Sequence, residues 1–119
     1  MLKATIAEYL AALPGPVSER WPEGERFVTA MAHGTMSVEL YAPRGSDTQT
    51  PHAQDELYII QTGSGDYVMG EERVVFEPGM VLFAPAGVAH HFENFSDDFV
   101  TWVIFWGPKG GEAKQNAGA

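Results

Sequence analysis

The chain contains no cysteine. Disulfides, zinc fingers, thiolate clusters and a cysteine nucleophile are thereby excluded, and the lack suits a reducing cytoplasm, the expected location. Basic residues are also scarce. Seven Lys and Arg stand against 16 Asp and Glu, giving a net charge of −9. No nucleic-acid partner is expected, because backbone phosphates demand a surplus of Lys and Arg. Docking on an anionic membrane face is unexpected for the same reason. Solubility accounts for the acidic surface. Long apolar runs are missing too, and nothing approaches the roughly 20 residues of a membrane span. The opening MLKATIAEYLAALPGP is interrupted by Thr5, Glu8 and Tyr9, so it lacks the continuous apolar stretch of a secretion signal.

What is present at 119 residues fits one domain with a real core. Leu2, Ile6, Leu10 and Leu13 recur at helical spacing, Thr5 and Glu8 have capping-box spacing, and Pro14-Gly15-Pro16 ends the segment. An amphipathic helix within residues 1–16, packing on the outside of the domain, is the expectation. Helical periodicity then stops. Phe27–Ala32, Met36–Tyr41, Glu56–Gln61, Asp66–Met69, Val74–Phe76, Val81–Ala84, His90–Glu93 and Phe99–Trp106 read as short strands with turn residues between them. Gly63-Ser64-Gly65 reads as a hairpin turn. Without intervening helices a parallel βαβ topology is excluded, and the class is an all-β sandwich or barrel over residues 17–107. The glycine-rich, polar segment 108–119 is expected to be a disordered tail.

The last strand, FVTWVIFW, is apolar on both faces. A strand with one wet face alternates, so something covers its second side. Another sheet of the same chain could do so, and so could a partner subunit; of the two, a homodimer is the expectation.

Chemistry concentrates in two segments. In TPHAQDELYIIQTG, residues 50–63, alternation along an extended strand puts Thr50, His52, Gln54, Glu56, Tyr58 and Ile60 on one face. A polar cluster running into Tyr58 and Ile60 makes sense if that face lines a cavity. In GMVLFAPAGVAHHFEN, residues 79–94, Pro78-Gly79 and Pro85-Ala86-Gly87 are turns, and His90 and His91 must face opposite ways. No phosphate-binding loop or serine elbow competes with these segments. His33 and His91 read as structural or exposed, and Asn94 as a turn or hydrogen-bonding residue.

Gly79, Pro85, Gly87, His90 and Asn94 match every fixed position of G-x5-P-x-G-x2-H-x3-N, and the segment resembles the second signature of the cupin superfamily. The upstream segment resembles the first, G-x5-H-x-H-x3,4-E-x6-G. His52 takes the second histidine, Glu56 the glutamate and Gly63 the closing glycine. Thr50 stands in the first-histidine slot, and Gly45 is one residue closer than usual. The resemblance implies a jelly-roll β-barrel of roughly six to eight strands with the N-terminal helix outside it. It also implies a divalent transition metal (Fe, Mn, Ni, Zn or Co) on His52, Glu56 and His90. Thr50 and Gln54 are auxiliary candidates, and Tyr58 and Phe92 candidate cavity walls. Cupins commonly use three histidines and one glutamate, so the threonine puts four-ligand coordination in doubt. The function implied is action on a small organic molecule by oxygenation or isomerisation. The alternative is a non-catalytic binding or sensor cupin with a degraded metal site, and a metal-free sugar epimerase ranks last.

Overall fold

The computed structural model describes residues 3–113. Its one helix, α1 (Ile6–Leu10), starts where the sequence places a cap: the Thr5 hydroxyl accepts a hydrogen bond from the Glu8 amide at 3.3 Å. The helix is far shorter than the 1–16 segment in which it was expected. Ala12 and Leu13 bond to carbonyls three residues back, so the chain tightens out of the α-helix as it approaches Pro14. Ile6, Tyr9, Leu10 and Leu13 pack on Leu40, Ala42 and Val100, on the outer face of a sheet. Leu2 lies outside the described residues.

Eight strands follow: β1 (Phe27–His33), β2 (Met36–Tyr41), β3 (Asp55–Thr62), β4 (Gly65–Met69), β5 (Glu72–Phe76), β6 (Val81–Ala84), β7 (His90–Glu93) and β8 (Val100–Trp106). They form two antiparallel sheets, in the orders β1-β2-β8-β3-β6 and β5-β4-β7. The all-β barrel expected from the strand spacing is the fold, with strand ends within two residues of the sequence reading.

One turn differs from that reading. β3 pairs with β8 and β6, and β4 pairs with β5 and β7, so Gly63-Ser64 crosses between sheets. Gly63 has φ +87°, and a Cβ there would sit 2.5 Å from the Phe99 Cα. Backbone strain and a backbone collision coincide at this crossing. Gly63→Ala is expected to lower stability by about 2 kcal/mol or more, read as a lower urea midpoint at unchanged slope.

Between the sheets lies an aromatic core. Phe92 stands with its ring centre 4.8 Å from those of Tyr58 and Phe99 and 5.3 Å from that of Phe76. Tyr58, Phe76, Phe92 and Phe99 are all fully buried. This cluster fills one end of the barrel and leaves the other end open.

Of the segment read as a tail, residues 108–113 run along the barrel. Gly110 N–H donates to the Ala53 carbonyl at 2.7 Å, and Glu112 N–H to the Asp55 carboxylate at 2.8 Å. Residues 114–119 lie outside the described residues.

Candidate metal centre

Glu56 and Tyr58 point into the barrel from β3, because alternate side chains share a face and Leu57 and Ile59 point out. His90 opens β7 and His91 turns the other way: His90 is buried, whereas His91 lies at the surface, 3.2 Å from Glu93. His52 comes from the loop before β3. Its backbone carbonyl accepts from the Gly87 N–H at 2.8 Å, so the turn that delivers His90 is tied to the loop that delivers His52. Gly87 has φ +77°, which is why that turn needs glycine. The same turn is clamped from the other side of β3, where Asp55 accepts from the Ala86 N–H at 3.0 Å. The bond from the Glu112 N–H first, and then this one, hold the Asp55 carboxyl below its usual pKa.

One ligand atom from each of His52, Glu56 and His90 falls within 4.8 Å of the others. His90 Nε2 stands 2.8 Å from Glu56 Oε1, and His52 Nε2 stands 3.8 Å from the same oxygen. His90 Nδ1 lies 2.8 Å from the Val88 carbonyl, which can only accept, so Nδ1 carries a proton and, in the neutral ring, Nε2 presents a lone pair. That lone pair faces a carboxylate oxygen. Both atoms are buried, and neither finds an aligned hydrogen-bond partner among the described residues. Two opposed lone pairs in a dry site need a cation or a proton between them.

The two imidazoles differ electrostatically. Burial opposes charging His90, but the Glu56 carboxylate and the Val88 carbonyl outweigh it, so its pKa lies above the usual histidine value. His52 lies below it. Burial is the main cause and His90 adds to it, against the pull of Glu56. His52 is therefore a neutral imidazole at pH 7, the form that binds metals.

A cavity of about 380 Å³ opens beside these groups. His52, Gln54, Glu56 and Tyr58 contribute to its walls, together with apolar surface from Trp21, Phe27, Val103 and Phe105. Arg20 stands at its edge, exposed, donating to the Thr48 carbonyl at 3.1 Å.

Two of the expected site residues, Thr50 and Phe92, are placed differently. Residues 50–54 are not strand, so alternation does not extend back to Thr50, which is exposed to solvent. Gln54 stays on the cavity wall, its amide nitrogen donating to the Thr35 and Gly107 carbonyls at 2.9 Å each. Phe92 lies in the aromatic core behind Tyr58.

Two residues that the sequence reading did not single out are brought in. Gln49 Oε1 accepts from the Tyr58 hydroxyl at 2.9 Å and lies 3.4 Å from His52 Nε2. Asp47 fixes Gln49 in turn. Its carboxylate accepts from the Tyr41 hydroxyl (2.6 Å), the Gln49 amide side chain (2.6 Å) and backbone (3.2 Å), and the Phe92 N–H (2.9 Å). Loop composition carried no signal for either. Glu39, on β2, also reaches the cavity, and burial, then Glu56, raise its carboxyl pKa.

The geometry has relatives. Residues 37–106 match the Cupin domain family. An uncharacterized protein of Streptomyces coelicolor is 36% identical over 94 residues, covering 77% of this chain and 90% of that one. Among solved structures, TT1209 from Thermus thermophilus superposes with a TM-score of 0.63 at 22% identity, over 89% of this chain and 97% of its own. A Cupin 2 conserved barrel domain protein from Salinispora arenicola gives 0.59 at 22% identity, over 68% and 74%. Among the described residues no helix is long and apolar enough to cross a membrane.

Proposed function

The chain belongs to the cupin family, and from that premise we propose that it is a metal-dependent enzyme acting on a small organic molecule bound in its barrel. His52, Glu56 and His90 would hold one divalent transition metal. Two neutral imidazoles and one carboxylate suit first-row ions from Mn to Zn, with Fe(II) a natural occupant. The observation that carries this reading is the buried pair of opposed lone pairs on Glu56 Oε1 and His90 Nε2. A bound ion would supply Lewis-acid or redox chemistry, the basis of isomerisation or oxygenation respectively.

The chain's own residues supply the rest. The Val88 carbonyl fixes the tautomer that leaves His90 Nε2 free to ligate. Asp47 and Gln49 hold the Tyr58 hydroxyl beside the site. Burial first, then the Glu56 charge, keep that phenol protonated by pushing its pKa well above the usual value. Trp21, Phe27, Val103 and Phe105 exclude water from a substrate's apolar part.

A ligand that binds only the folded state raises the melting temperature. Metal-free protein titrated with Mn(II), Fe(II), Co(II), Ni(II) or Zn(II) is expected to melt several degrees higher with at least one of them. Glu56→Gln is expected to lose that increment. Five flat titrations of the wild type would overturn the reading.

A further inference from the structure

Thr50, in the first-histidine slot, is exposed to solvent and brings nothing to the site. The residue before it reaches in. Gln49 lines the cavity, and its Oε1 accepts from the Tyr58 hydroxyl at 2.9 Å. The same oxygen lies 3.4 Å from His52 Nε2.

The amide cannot be turned round. Gln49 Nε2 donates to Asp47 Oδ2 at 2.6 Å, and a carboxylate only accepts, so the NH2 group must face Asp47. Asp47 is itself held by the Tyr41 hydroxyl and the Phe92 N–H, which anchors this arrangement to β2 and β7. The carbonyl oxygen is thereby aimed at Tyr58 and His52. It has two lone pairs, and Tyr58 uses one. The other is left toward His52.

His52 Nε2 has two oxygens before it, Gln49 Oε1 at 3.4 Å and Glu56 Oε1 at 3.8 Å. Both distances exceed the usual range of an N–H···O bond. The shorter one suits two donor atoms that share an ion: metal bonds of about 2.1 Å put neighbouring donors roughly 3.0–3.4 Å apart in octahedral and tetrahedral sites.

We propose that Gln49 Oε1 is a fourth protein ligand to the ion. The inference rests on the metal reading of His52, Glu56 and His90 and adds the donor that Thr50 does not supply. The ligand set becomes two imidazole nitrogens and two oxygens, one of them a neutral carbonyl. Such a set shifts preference toward the oxygen-favouring ions Mn(II) and Fe(II), whereas a third imidazole would favour Ni(II) or Zn(II). Asp47 and the Tyr58 hydroxyl then orient a ligand, one at each end of its amide.

The rival role for Gln49 is to tether Tyr58, and Mn(II) bound to the chelator-stripped full chain separates the two. Gln49→Leu removes the oxygen at similar volume. It is expected to weaken Mn(II) binding, by isothermal titration calorimetry, at least about tenfold more than Tyr58→Phe does. It is also expected to raise the water-proton relaxation rate per bound Mn(II), because a water takes the vacated position. Gln49→Asn, which keeps the amide but withdraws it by one methylene, is expected to raise that rate too. Tyr58→Phe keeps Gln49 Oε1 and is expected to relax water as the wild type does. Equal affinity losses in Gln49→Leu and Tyr58→Phe, or an unchanged relaxation rate in both Gln49 variants, would overturn the proposal and leave the three-residue site standing. A wild type that binds Zn(II) but not Mn(II) would overturn it as well. A wild type that binds neither those ions nor Fe(II), Co(II) or Ni(II) overturns the metal reading itself.

Discussion

His90→Ala is expected to weaken metal binding by more than about 100-fold and to leave purified protein without stoichiometric metal. Removing outer partners that merely orient a ligand already costs 10- to 100-fold in many sites, and His90 would be a ligand itself. Its ring is held by the Val88 carbonyl and buried against Glu56, so no neighbouring side chain can swing in to replace it. The variant keeps Glu56 buried without a facing imidazole, and a carboxylate in that position costs free energy unless it takes up a proton. Two companions separate ligand loss from fold loss. Glu56→Gln keeps shape and volume, while His52→Ala alters a ring that is 36% exposed and costs little packing. Both are expected to melt within a few degrees of the metal-free wild type, and both to lose metal. Isothermal titration calorimetry of each chelator-stripped variant reads the affinity directly.

Phe92→Ala is expected to be the most destabilising single change in the core, by about 3–5 kcal/mol. Domains of this size are commonly stable by about 5–15 kcal/mol, so the loss takes a large share of the total. Phe92 is fully buried and touches Tyr58, Tyr67, Phe76 and Phe99, which come from three other strands and the loop just before β8. No single neighbour can collapse into the space without leaving another gap. Phe92→Leu keeps most of the volume and is expected to cost less than half as much. Urea unfolding followed by tryptophan fluorescence gives both values, and equal costs for the two variants would contradict this account of the core.

The strands were legible in the sequence because turn residues punctuate them and because interior and exterior side chains alternate. β2, β6 and β7 begin and end where the pattern places them. His52, Glu56 and His90 were legible through their spacing to Gly63, Pro85 and Gly87. Thr50 was misplaced because alternation was extended back past Asp55, where the backbone has not yet become strand. Asp47 and Gln49 were invisible for a related reason. Their position depends on how the loop from Pro43 to Gln54 folds back, a tertiary outcome with no period to read. The 108–113 segment was read as a tail from its composition, which gives no hint of the Asp55 carboxylate that accepts its amide. FVTWVIFW reads as apolar on both faces: its inner residues Val103 and Phe105 belong to the core, and Val100 and Trp102 on its outer face pack beside the N-terminal segment.

The central claim is that His52, Glu56 and His90 bind a metal together. Its most direct test is the metal content, by inductively coupled plasma mass spectrometry, of untagged protein purified without chelating resin. The account predicts close to one first-row transition-metal ion per wild-type chain and background levels in His90→Ala and Glu56→Gln. Background metal in the wild type after incubation with each ion, or equal content in all three proteins, would contradict it.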